Sequence, residues 1–390
     1  SVGGKRLPNE LGSQGDCWMW QYAGQVEAEE EETVVLHDLT GFDGRCDALW
    51  FTTDKNAVPP ADAEKLALFR GKHDRKTVRT VKYDFVVVGG GIAGICASVS
   101  AARLGTKVAL INDRPIWGGC NSSETRVHLG GHIEMKPYPN LGNMIKEFGP
   151  LQMGNAQPAE FYEDEKKRAF LEAEKENLDL YPSYRVYKVD CRKGIIRAVY
   201  ARHIESGEVV KFVSPLYSDC TGDGTVGYLA GADFAMGREG RSEYNEPSAP
   251  ENGDKLTMGA SVQWYSEEGK EPCPFPLFEY GVDFNDQSCQ RVKMGEWTWE
   301  TGMNRDQCKE FERIRDYGLM VVYSNWSYLK NRLSDNKEYQ SRKLGWVAYI
   351  AGKRESRRLL GDHVLTENDL QNETVYPDAS FTTTWSIDLH

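Results

Sequence analysis

The stretch Tyr83-Asp84-Phe85-Val86-Val87-Val88-Gly89-Gly90-Gly91-Ile92-Ala93-Gly94 constrains this chain more than any other. Phe85 to Val88 has the β-branched and aromatic composition of a strand buried on both faces. It breaks into Gly89-x-Gly91-x-x-Gly94. Ala93 to Leu104 then reads as a helix of small residues that Gly105 stops, and Lys107 to Ile111 reads as a second apolar strand. Strand, glycine turn, helix and strand within about 30 residues is the context that makes a GxGxxG pattern specific for a dinucleotide. Gly89 permits the tight turn, Gly91 lets backbone approach a pyrophosphate, and Gly94 lets helix and strand pack closely. The N–H groups of Ile92 and Ala93, at the positive end of the helix dipole, face the phosphates.

The 390 residues suffice for two or three domains. A formal charge of −12 argues against nucleic acid and anionic membranes as main partners. No apolar run reaches the roughly 18 residues of a membrane span. The nine cysteines are scattered without CxxC or metal-type spacing, so the reading is mostly free thiols and no metal site.

Residues 1–75 read as a partial β-sandwich and linker, with strands at 17–26, 33–38 and 46–52 and an acidic turn at 29–32. Three strands are too few for a whole sandwich, so a module cut at its N-terminus is expected. Trp18, Trp20 and Trp50 read as core, with a sugar-stacking platform as the alternative. Residues 80–235 read as the nucleotide-binding domain. There, Leu178–Tyr181 and Tyr184–Val189 are strands, and 194–213 forms a hairpin about Ser206-Gly207. A second glycine turn, Thr221-Gly222-Asp223-Gly224, ends a further strand. Residues 236–390 read as a mixed α/β substrate domain, with a strand at 258–264 and helices at 306–317 and 339–360. Between Trp117 and His132 lies a glycine-rich polar segment of little periodicity, which inside a compact domain points to function.

Gly118-Gly119-Cys120-Asn121-Ser122-Ser123-Glu124, Thr221-Gly222-Asp223-Gly224 and the intervening hairpin together resemble the FAD-dependent oxidoreductases with a glutathione-reductase-like fold. The resemblance covers about residues 80–390. It implies an α/β architecture: a Rossmann-like FAD-binding domain with a β-meander, then the substrate domain. Asp38 to Ala48 resembles jelly-roll-like modules beside polysaccharide-active enzymes. By the same resemblance Gly89, Gly91, Ile92, Ala93 and Gly94 hold the pyrophosphate, and backbone near Val186 meets the adenine. Thr221, Gly222 and Asp223 meet the centre of FAD, while Gly118, Gly119, Cys120 and Ser123 run along its ribityl chain and ring. The family's ribose-binding glutamate aligns with Asn112, followed by Asp113 and Arg114. The late strand-and-glycine segment of such folds is not found before His390, so a chain truncated at its C-terminus, or a site completed by another polypeptide, is expected.

The implied activity is hydride transfer from a small molecule, with a carbohydrate or glycoside hydroxyl as the leading class, to flavin N5, and onward to an unidentified electron acceptor. An NAD(P)H-using flavin monooxygenase and a non-catalytic polysaccharide-binding protein remain as alternatives. His128 is the first candidate base, because a histidine pKa near 6.5 suits proton abstraction. His390, in a late Asp-x-His pattern, is the second, and Arg126, Arg354 and Arg357 are candidates to anchor a carboxylate or stabilise reduced, anionic flavin. Cys120 reads as an inert thiol, with a covalent flavin link as the alternative. The N-terminal module leans the location towards the periplasm or cell envelope.

Overall fold

The computed structural model describes residues 1–12, 18–27, 29–37, 39, 46–62, 65–66, 68–70, 78–130, 134–149 and 154–379. The chain divides into two compact units, Ser1–Thr77 and Val78–His390.

Among the described residues of the first unit, the expected strands form no ladder. Backbone pairing is limited to isolated bridges of Val2 with Lys5 and Val34. Side chains satisfy the backbone instead: Asn9 Nδ2 donates to the Tyr22 carbonyl (2.9 Å), and Gly12 N–H donates to Gln21 Oε1 (2.7 Å). Alternation gives a strand two faces but not a neighbour in register, and here the neighbour is absent among the described residues. Trp18 is 65% exposed and so is not core. Trp20 Nε1 donates to the Pro60 carbonyl, and Trp50 sits edge-on to Phe69. Most of the motif between Asp38 and Cys46 lies outside the described residues.

In the second unit the apolar runs become strands as expected. In chain order come β1 (Arg79–Lys82), β2 (Phe85–Val88), α1 (Ile92–Arg103), β3 (Val108–Ile111), α2 (Asn143–Phe148), α3 (Asp164–Glu172), β4 (Leu178–Tyr181), β5 (Tyr184–Arg192), β6 (Ile195–His203), β7 (Val209–Val213), β8 (Leu216–Asp219) and α4 (Thr225–Ala230). A parallel sheet runs β4-β3-β2-β8, with Val86 opposite Ala109 and Tyr217. Every β3 residue is buried, because both faces are covered. The alternation survives inside that burial. Val87, Val108 and Leu110 face Ile95, Val99 and Ala102 of α1, together with Phe148 and Leu171 of α2 and α3. Val86, Val88, Ala109 and Ile111 face Val199, Val210 and Phe212 of the meander β5-β6-β7, whose outer strand β7 pairs in parallel with β1. The result is three layers: helices, parallel sheet and meander.

Beyond residue 235 a separate core forms. The elements of this region are β9 (Phe234–Ala235), α5 (Arg241–Tyr244), β10 (Ala260–Ser261), β11 (Trp264–Glu268), β12 (Met294–Gly295), α6 (Phe311–Asn331), β13 (Arg342–Val347), β14 (Gly352–Lys353), β15 (Arg358–Leu359) and α7 (Glu367–Gln371), and the core itself draws on β10, β11, α6 and β13. Ile314, Val322, Trp326 and Leu329 form one stripe of α6 and pack on Ala260, Val262 and Trp264; the Trp264 and Trp326 rings meet edge to face at 5.6 Å. The helix expected at 339–360 is instead β13 to β15. Its partner strand decides this: Tyr265 of β11 stacks on Trp346 at 6.3 Å, and a Cβ at Gly345 would lie 2.6 Å from the Tyr265 ring. Such a tertiary partner outweighs local helix propensity. The strand expected at 258–264 is split between β10 and β11, and the helix expected at 306–317 starts later and runs to Asn331.

No described helix is long and apolar enough to cross a membrane. The eight described cysteines are all free, and no described cluster of His, Cys, Asp and Glu could hold a metal.

Candidate active site

Three chain segments meet where β2, β3 and β8 end. Gly89 takes φ +108°, donates its N–H to the Ile111 carbonyl, and would place a Cβ 2.2 Å from the Cys220 carbonyl oxygen. Only glycine fits there. A Cβ on Gly94 would lie 1.8 Å from the Gly89 oxygen, so this position sets how closely α1 approaches the turn. Gly91 is different: a Cβ there would meet nothing within 4 Å. That is open space over the turn, next to the uncapped N–H groups of Ile92 and Ala93.

The polar loop lies on this turn. Gly118 N–H donates to the Gly90 carbonyl (2.8 Å), and Gly91 and Gly118 bridge in parallel. Gly118 and Gly119 take φ +119° and +60°. Asn112 is buried and ties the two together: its Oδ1 accepts from Gly90 N–H, and its Nδ2 donates to the carbonyls of Arg114 and Ile116. With both ends of its amide engaged by backbone, Asn112 has a scaffolding job, and Asp113 beside it is exposed. Cys120 is exposed to solvent, and desolvation by the surrounding chain pushes its thiol pKa up against the pull of Arg114 and Lys353. An ordinary thiol is thus favoured over a reactive thiolate.

The third segment is the turn after β8. Thr221 Oγ1 donates to Asp219 Oδ1 (2.7 Å) and accepts from Thr225 N–H. Gly222 takes φ +76° with open space beside it. Asp223 is held by Lys353 Nζ (2.7 Å) and Ser356 Oγ (2.7 Å), two partners that no sequence motif announced. Val186 sits in β5 opposite Ala201, with its side chain in the core, so its backbone is the part that can face a ligand.

The rest of the loop is built as rigidly. Ser123 N–H donates to Asp164. Arg126, in the left-handed region at φ +63°, donates from Nε to the Ser123 carbonyl and from Nη1 to the Gln157 carbonyl, and its guanidinium lies 3.8 Å over the Trp346 ring. Sequence reasoning missed Glu124 as a site residue, although it closes the motif. Burial raises its pKa, Tyr349 donates to its Oε1, and its buried Oε2 meets no partner in the described chain. Tyr349 is in turn pushed up to about 12, first by burial and then by Glu124.

Val127 N–H donates to the Cys120 carbonyl (3.0 Å), and Asn121 Nδ2 donates to the Val127 carbonyl. This clasp ties the backbone leading into His128 to the polar loop. Asn155 Oδ1 contacts both the backbone N–H and Nδ1 of His128. His390 lies outside the described residues, as does the end of the segment from Trp117 to His132.

Residues 84–390 match the family profile described as FAD dependent oxidoreductase. The chain belongs to that family. FAD is its cofactor, and the residues suit it: open space over Gly91 and Gly222, uncapped helix N–H groups and an orphaned Glu124 oxygen are features that a dinucleotide fills. Over 73 residues the chain is 34% identical to aerobic glycerol-3-phosphate dehydrogenase of Staphylococcus aureus, a stretch covering 19% of this chain and 13% of that relative's length. Among solved structures, it is similar to a geranylgeranyl bacteriochlorophyll reductase-like protein of Thermoplasma acidophilum (17% identity, 49% of this chain and 48% of the other, TM-score 0.32). It is also similar to the myxobacterial chondrochloren halogenase (14% identity, 49% and 45%, TM-score 0.31).

Lys167 underlies the family motif. A Cβ on Gly118 would sit 3.1 Å from its Cδ, its ammonium donates to the Tyr162 carbonyl, and Asp164 lies 3.9 Å away. Complete burial pushes it down to about 8 from an ordinary 10.5. Below about 8 both folded and unfolded forms hold the proton; between about 8 and 10.5 the unfolded chain holds more. Stability from this group therefore rises with pH across that window. The difference in unfolding free energy between wild type and Lys167→Met should climb from neutral pH to the top of it; a flat difference would contradict the assignment.

Proposed function

We propose that the enzyme oxidises a hydroxyl-bearing small molecule of the carbohydrate or polyol class, with His128 accepting the hydroxyl proton. The observation that carries this is the clasp between Cys120 and Val127, which ties the backbone leading into His128 to the loop that bonds with the first glycine turn. Bound FAD supplies the hydride acceptor. Gly91, Ile92 and Ala93 hold its phosphates, Asp113 meets its ribose in place of Asn112, and Glu124 offers a hydrogen bond. Arg126, engaged by two carbonyls and an aromatic ring, holds the loop rather than the substrate. Two points support the substrate class. Trp297, packed beside Gly352 and Arg354, brings an indole of the kind on which sugars stack. The staphylococcal relative is named for glycerol-3-phosphate, itself hydroxyl-bearing.

The test is anaerobic bleaching of bound flavin by a panel of sugars, polyols and hydroxy acids. With a substrate in hand, His128→Gln should slow bleaching by about 100-fold, the lower end of general-base contributions, and leave FAD affinity unchanged. Bleaching at the wild-type rate would exclude His128 as the base, and a panel with no reductant would exclude the substrate class.

A further inference from the structure

His128 meets Asn155 in a way that fixes more than its position. The backbone N–H of His128 donates to Asn155 Oδ1 at 3.0 Å, and a backbone N–H can only donate. The atom it meets is therefore the amide oxygen. The other end of the amide agrees: Asn155 Nδ2 donates to Glu296 Oε2 at 3.3 Å, and a carboxylate can only accept. His128 Nδ1 lies 2.8 Å from that same Oδ1. Facing an oxygen that has no hydrogen to give, Nδ1 must carry the proton. In the neutral ring Nε2 is then the bare nitrogen.

The loop carrying Asn155 is immobilised from three sides. Tyr162 Oη donates to the Gly154 carbonyl (2.9 Å). Ala156 N–H donates to the Arg126 carbonyl (2.9 Å) and to Oε1 of the wholly buried Gln263 (3.0 Å). Gln157 N–H donates to Tyr162 Oη, and its carbonyl accepts from Arg126. Asn155 itself is 6% exposed. Fixing a ring through its second nitrogen is how proteins set which imidazole atom reacts.

We propose that Asn155, oriented by Glu296, is the positioning residue that makes Nε2 the proton-accepting atom of His128. This rests on His128 being the base. On substrate oxidation the hydroxyl proton would pass to Nε2, giving an imidazolium whose Nδ1–H stays on Asn155 Oδ1; bound FAD would supply the acceptor for the hydride of the carbon bearing that hydroxyl, which becomes a carbonyl.

Two readouts separate the claims. Long-range proton–nitrogen NMR of the nitrogen-15-labelled chain, at a pH where His128 is neutral, reads the tautomer, and His128→Gln assigns the signal. Wild type should show a protonated Nδ1 and a bare Nε2. Asn155→Leu should lose that state and slow flavin bleaching by roughly 10- to 100-fold, the usual cost of losing such an outer partner. Asn155→Asp, which keeps the acceptor oxygens, should retain the protonated Nδ1 and guards against a leucine variant that fails to fold. A protonated Nε2 in wild type, or an unchanged tautomer in Asn155→Leu, would overturn the positioning role. A fixed Nδ1–H together with full activity in His128→Gln would overturn the base itself, and with it the catalytic meaning of the contact.

Discussion

Gly94→Ala should cost at least about 3 kcal/mol of stability and abolish FAD binding. Overpacking a core typically costs 1–3 kcal/mol because side chains give way. Here the two nearest atoms both belong to the Gly89 backbone. The new methyl would lie 1.8 Å from the Gly89 carbonyl oxygen. Gly89 cannot retreat, since its N–H is bonded to Ile111 and its Cα faces the Cys220 carbonyl. Helix α1 must therefore lift off β2, carrying Ile95 and Val99 away from Val87 and Leu110. Gly91→Ala is the matching control. Its φ of −71° suits any residue and its Cβ would project into open space. That variant should keep wild-type stability and lose about two orders of magnitude in FAD affinity, ~2.7 kcal/mol. Urea denaturation and flavin titration measure both. Equal stabilities for the two variants would refute the distinct roles assigned to these glycines.

Lys330→Met should destabilise the second core by roughly 3–5 kcal/mol, the range seen when one partner of a buried charged contact is removed. The Lys330 ammonium is buried and donates to three carbonyls, those of Tyr339 (2.6 Å), Gln340 (2.9 Å) and Arg342 (2.7 Å). Methionine fills the volume but takes a donor away from three carbonyls, of which that of Gln340 keeps the Cys273 N–H (2.8 Å). These carbonyls lie where α6 hands over to β13, and β13 brings Trp346 against the guanidinium of Arg126. The loss should therefore reach the flavin loop. Thermal unfolding of the variant, with and without FAD, should show a lowered midpoint in both conditions and weaker stabilisation by the cofactor. An unchanged midpoint would mean that water replaces the ammonium.

The legible part of the fold is the part whose physics is local. The run from Phe85 to Val88, the glycine spacing and the helix of small residues announce one another within a single βαβ unit, and the hairpin about Ser206-Gly207 is signalled by its turn. What was illegible depends on distant partners. Residues 339–360 carry helix-compatible composition, and only Tyr265, some 80 residues earlier in the chain, makes them strands. In residues 1–77 alternation pointed to strands, but alternation is silent about whether a neighbour in register exists. At the site, the glycines and the polar loop could be named from spacing. Lys353, Ser356, Asn155 and Glu296 could not, because each meets its partner across 27 to 141 residues of chain. Asn112 shows the subtler limit: the resemblance implies a ribose contact there, and the backbone partners of its amide, which lie at three other positions, are not written in any motif.

The contact between Asp223 and Lys353 spans 130 residues of chain. A nascent chain on the ribosome therefore completes its parallel sheet and glycine turns long before the cation that steadies the second turn has been synthesised. Gly352, whose Cβ would rest 3.2 Å from Thr125, completes the wall of the polar loop equally late. The second glycine turn thus reaches its final set of contacts only once the strands of the second core have been made.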